Sequence, residues 1–112
     1  MFFPENFRIF LRPGITDMRK SINTLAAIVA SSMPQDIYSS DLFLFCNRRR
    51  DIVKVLYWHE TGFALWQKRL EKARFPWPKD SRDSIEVSQE QLKMLLTGIN
   101  FFNTHEKLIF SA

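Results

Sequence analysis

Residues 42–46 (LFLFC) and 52–58 (IVKVLYW, interrupted only by Lys54) are apolar on both alternating faces, and this constrains the fold more than any other feature of the chain. A strand that is apolar on both faces has to be covered on both faces. The two runs therefore predict central strands of a sheet sandwiched between other elements. Between them, Asn47, Arg48, Arg49, Arg50 and Asp51 make a hairpin loop of ordinary length. A chain of 112 residues has room for one domain. Its eleven Phe and three Trp supply large rings for the core.

Upstream, RIFL at 8–11 followed by Arg12-Pro13-Gly14 predicts a strand ended by a turn. Thr16 or Asp17 can cap a helix, and Met18, Ile22, Leu25, Ala26 and Val29 share one helical face. A helix is thus expected over residues 17–32, stopped by Pro34. After the second apolar run, His59-Glu60-Thr61-Gly62 signals another antiparallel hairpin, with Gly62 in a left-handed position.

Residues 63–74 carry two signals. Their helix propensity is high, with Phe63, Trp66, Leu70 and Ala73 near one helical face, whereas the preceding hairpin favours a strand through about Lys68 followed by a short turn or helix. The strand is the reading adopted. Phe75-Pro76-Trp77-Pro78 cannot be regular helix and reads as an extended segment packed by its rings. Residues 79–84 form a polar loop, and 85–87 a short strand. Ser88 and Gln91 make a capping box for a helix over 89–97, which buries Leu92, Leu95 and Leu96 and stops at Gly98. The tail from Ile99 to Phe110 is apolar enough to dock, as a last strand or as a partner-binding arm.

These elements predict an α+β fold: a mainly antiparallel sheet of four to five strands with two helices packed on it. The whole chain, 1–112, is expected to be one domain, with its core over about 7–99 and a C-terminal arm over about 100–112.

Cys46 is the only cysteine, so an internal disulfide and a multi-cysteine metal cluster are excluded, and a reducing compartment fits. The first ten residues lack the pattern of a signal peptide. The longest charge-free run, residues 21–35, is too short and too polar to cross a bilayer. A cytoplasmic protein with no membrane association is expected. Catalytic signals are weak: His59 and His105 fall in no metal motif, and Cys46 ends an apolar strand as an inert thiol would. No enzyme activity, metal or cofactor is expected.

Charge is unevenly spread. Residues 48–82 hold ten basic and four acidic residues, a net +6, while the remainder carries −2. Arg48, Arg49 and Arg50 on a loop tip can make forked contacts with phosphates, although a loop tip charged for solubility looks the same. Lys54 lies one strand away and extends the patch. Lys68, Arg69, Lys72 and Arg74 sit beside Trp66 and Trp77, which places charge for a phosphate backbone next to rings for base stacking. The plainer reading of the proline-flanked rings is that they belong to the core. At the start of the first helix, Arg19 and Lys20 are a candidate secondary anion site. Asp17 there reads as a cap.

Several phrases together resemble a known family. Residues 12–20 (RPGITDMRK), Leu25-Ala26, 43–50, KVLYW at 54–58, Gly62-Phe63, KRLE at 68–71, FPWP at 75–78, QLKMLL at 91–96 and Gly98-Ile99 are similar, in order and spacing, to the TnpB accessory proteins of the insertion-sequence-66 family. The likeness covers about residues 8–99. His59 and a tail without an Arg-rich ending depart from the usual pattern. The resemblance implies a small non-enzymatic protein of a bacterial mobile element that assists a separate DDE transposase. It is unlike the RNA-guided nucleases that share the TnpB name, which are much longer and carry zinc cysteines. The expected function is that of an accessory protein in DNA transposition and recombination. It would bind DNA phosphates through a basic face with low specificity, the transposase, or both. The alternative is a protein-interaction module that docks on the transposase with no DNA contact of its own.

Overall fold

The computed structural model of the chain describes residues 7–19, 21–79 and 83–98. They form β1 (Ile9–Leu11), α1 (Ile22–Ser32), β2 (Leu42–Cys46), β3 (Ile52–His59), β4 (Gly62–Arg69), β5 (Ile85–Val87) and α2 (Gln89–Leu96). This is the expected order of elements, and the ambiguous stretch after residue 62 is a strand. The strands join in one sheet in the order β4-β3-β2-β1-β5. β1 and β2 are parallel, with Ile9 opposite Leu42 and Leu11 opposite Leu44; the other pairs are antiparallel. The fold is α+β with a mixed, mostly antiparallel sheet. A parallel pair requires a crossover, and α1 lies within it.

β2 is the central strand, and all five of its residues are buried. Side-chain alternation divides the core between two faces. On one, Leu42, Leu44, Cys46, Val53, Val55 and Tyr57 pack with Leu92 and Leu95 of α2 and with Phe75 and Trp77. On the other, Phe10, Phe43, Phe45 and Leu56 pack beneath Leu25 and Val29 of α1. The two helices thus cover opposite faces, which is the arrangement that runs apolar on both sides demand. α2 is too short to cover its face alone, and the extended 75–78 segment completes the layer. The Trp77 indole N–H donates to the Arg12 carbonyl at 2.9 Å, so the buried ring has its polar atom satisfied.

Three local expectations are corrected. α1 begins at Ile22, not at residue 17, and its cap is Ser21, whose hydroxyl accepts the Thr24 N–H. The cause lies in the sheet: Arg12 N–H bonds to Leu44 O at 3.0 Å and Thr16 N–H to Cys46 O at 2.8 Å, so the chain stays bound to β2 beyond β1. Thr16 and Asp17 therefore do not cap the helix. Asp17 instead accepts the Arg19 N–H in a local turn. In the β3–β4 turn the left-handed residue is Glu60 (φ 54), while Gly62 is already paired opposite His59. α2 follows expectation, with a complete Ser88–Gln91 capping box and Gly98 left-handed at φ 85 beyond its end. The tail from Ile99 onward lies outside the described residues.

Candidate nucleic-acid interface

The parallel pairing of β1 with β2, and the alternation through β3, make β1, β2 and β4 run in one direction. Their C-terminal ends share one end of the molecule. The connection after β1, the β2–β3 loop and the segment after β4 all emerge there. Two basic clusters separated in sequence become neighbours as a result.

The loop after β2 is built around Asn47. Its Oδ1 accepts the N–H groups of Asp51 (3.1 Å) and Ile52 (3.0 Å), and its Nδ2 donates to Asp51 Oδ1 at 2.6 Å. That amide hydrogen bond, more than any other influence, holds the Asp51 carboxyl below the usual carboxylate range. Arg50 N–H closes the turn on Asn47 O at 3.1 Å, with Arg50 itself at φ 59. The second cluster is then stitched to this loop. Leu70 N–H donates to Asp51 O (2.8 Å), Phe75 N–H to Arg50 O (2.6 Å), and the Arg74 guanidinium to Arg49 O. Three successive loop carbonyls are therefore occupied from the segment after β4.

Arg48, Arg49, Arg50, Arg69, Lys72 and Arg74 are exposed and Lys68 is half-buried. Among the described residues, the side chains of Arg48, Arg49, Arg50, Lys68, Arg69 and Lys72 have no hydrogen-bond or ion-pair partner. Strand alternation separates Lys68, opposite Val53 on the α2 side, from Arg69, opposite Ile52 on the other. Among the described residues, three concavities open at this end, of about 450, 210 and 150 Å³. Arginines of the 48–50 tip line all three. The opposite end carries Asp36, Asp41 and Glu60. There Asp41 accepts the Arg8 N–H at 2.9 Å and lies 3.7 Å from its guanidinium.

Other expected site residues fall elsewhere. Lys54 is half-buried and its ammonium donates to Met18 O at 2.8 Å, tying the 12–19 connection to the sheet instead of extending the basic surface. Arg19 makes a forked pair with Asp17, with contacts down to 2.8 Å, so its charge is compensated before α1 begins. Lys20 lies outside the described residues. Trp77 is 7% exposed and has no open face for a base. Trp66 is half-buried opposite Val55.

A family model described as IS66 Orf2-like protein matches residues 7–106. The chain belongs to that family. This Orf2-like chain is similar to two proteins of Sinorhizobium fredii, both described as uncharacterized. To y4hO it is 33% identical over 91% of its own length and 89% of the relative's. To y4jC it is 30% identical over 92% of its own length and 88% of the relative's. No solved structure matches it. The family is that of accessory proteins of a transposable element.

In this Orf2-like chain burial pushes the Cys46 thiol up to about 12. Among the described residues no three His, Cys, Asp or Glu side chains are grouped as metal ligands, and no helix is long and apolar enough to cross a membrane. Sequence reasoning missed Ile15, Arg12 and Lys79 as members of the basic end. Ile15 and Lys79 line its concavities, and Arg12 donates to the buried Thr16 hydroxyl. The signal that finds them is the parallel β1–β2 pairing, which hydrophobic periodicity does not announce.

Proposed function

We propose that this Orf2-like protein is a non-catalytic accessory factor of transposition that binds DNA phosphates through its basic end and works in the cytoplasm beside the element's transposase. The observation that carries this reading is the convergence of Arg48, Arg49, Arg50, Arg69, Lys72 and Arg74 at one end of the sheet. The guanidiniums of Arg48, Arg49, Arg50 and Arg69, with no hydrogen-bond or ion-pair partner among the described residues, match phosphate geometry, and such contacts hold a duplex without reading its sequence. Low selectivity by the protein alone follows.

The test is retention of element-end duplex, scrambled duplex and single strands by the wild type and by Arg48→Glu, Arg49→Glu and Lys72→Glu combined. Retention that falls steeply with salt, and drops for every sequence in the variant, is expected. Unchanged retention and unchanged transposition in the variant would sink the proposal. Turnover of DNA with added metal would sink its non-catalytic part. The competing reading has the same basic end dock on an acidic surface of the transposase. It requires a complex that forms without DNA and no DNA retention even at low salt.

A further inference from the structure

Ile15 is one of two large apolar side chains left exposed among the described residues, at 49% of its surface. The other, Tyr38, leans on Trp58 and Phe63. A single exposed isoleucine is ordinary on a protein surface. The setting of this one is not. Its neighbours are pinned on both sides, Gly14 N–H to Pro78 O at 3.0 Å and Thr16 N–H to Cys46 O at 2.8 Å, and Thr16 is buried. Gly14, at φ 80, turns the chain outward immediately before it. The side chain is thus exposed on a stretch of backbone held at both neighbours. Ile15 and Arg48 line two of the concavities together. Arg49 lines the first as well, Arg50 and Lys79 the second.

The geometry points to Ile15 as an apolar wedge that contacts the base stack of duplex DNA while Arg48, Arg49 and Arg50 hold the flanking phosphates. This rests on the DNA-binding reading above and adds to it a contact with bases. Isoleucine is among the side chains that proteins insert at base steps, partly unstacking them and kinking the duplex. Steps such as TA and CA unstack most readily, so the wedge gives a preference for flexible steps without hydrogen-bond readout. Its pinned backbone needs little further ordering on insertion. A wholly apolar partner would strip water from Arg48 and Arg49 with nothing to replace it, whereas duplex DNA offers bases and phosphates together.

The experiment uses duplexes with the fluorescent base 2-aminopurine at a TA step and follows binding and fluorescence together. The wild type is expected to bind and to raise the fluorescence severalfold. Ile15→Ala, compared at duplex saturation, should lose the rise while the phosphate contacts still hold the duplex. Ile15→Leu should restore it. An unchanged melting midpoint for Ile15→Ala shows that the fold is intact. DNA bound without a fluorescence rise, or a rise that survives Ile15→Ala, overturns the wedge and leaves phosphate binding standing. No binding by the wild type at low salt overturns the reading beneath both.

Discussion

Arg50 carries a charge at the loop tip and sits at φ 59, a left-handed conformation that costs a residue with a Cβ roughly 1–2 kcal/mol. Glu60 is left-handed in the same way at the opposite end. Replacing either by Gly relieves the strain. Arg50→Gly and Glu60→Gly should each raise unfolding free energy by up to about 1 kcal/mol in denaturant titrations. Only Arg50→Gly should weaken DNA retention, so the two variants separate strain from function. Cys46 gives a second prediction at this scale. Its folded thiol is pushed up to about 12, above the ordinary value of about 8.5. Above pH 8.5 the unfolded chain ionises first, so this contribution to stability is complete below that pH and is lost progressively between there and about 12. A Cys46→Ala comparison across this window should isolate the effect. Thiol reagents at pH 8 should leave the folded protein unmodified. Neither left-handed position was legible in the sequence: the 47–51 loop has no glycine to mark Arg50, and in the next turn the glycine signal pointed to Gly62, which is already a strand residue.

At the scale of elements, the extended 75–78 segment stands in for a helix layer. Phe75 is fully buried against the α2 face of the sheet. Phe75→Ala should cost about 3–5 kcal/mol, a large share of the stability of a small domain. Trp77→Phe loses the bond to Arg12 O and, because phenyl is smaller than indole, leaves a small cavity in the same layer, so it should cost about 1–3 kcal/mol. At α2, Ser88→Ala removes one half of the capping box and should cost about 1 kcal/mol. Denaturant midpoints check all three. The elements themselves were legible where local chemistry decides them: the doubly apolar β2 and β3, the Ser88 cap, and the proline-flanked rings. The start of α1 was not. Residues 17–20 have acceptable capping and periodicity, but the hydrogen bonds from Arg12 and Thr16 to β2 tie the preceding chain to the sheet, and the cap is Ser21. That competition is tertiary and leaves no mark in a window of sequence.

On the scale of the whole molecule, topology polarises the charge. β1, β2 and β4 deliver their following segments to one end, where arginines and lysines dominate, and Asp36, Asp41 and Glu60 lie at the other. The basic clusters could be seen in the sequence, but their union could not, because it depends on the parallel β1–β2 pair and on the bonds from Leu70, Arg74 and Phe75 to the loop carbonyls. The same geometry withdrew Lys54 and Trp77 from the surface and brought Ile15 into it. Binding of a short fluorescent duplex from 50 to 200 mM salt tests the account most directly, comparing the wild type with the Arg48→Glu, Arg49→Glu, Lys72→Glu variant and with Lys93→Glu on α2 as a control. About four phosphate contacts predict a log–log slope near −3.6, or about a 150-fold loss over that range, with the slope reduced in the triple variant and unchanged in the control. A wild type that binds without salt dependence, or a triple variant that keeps the wild-type slope, would contradict the assignment of DNA to this end of the molecule.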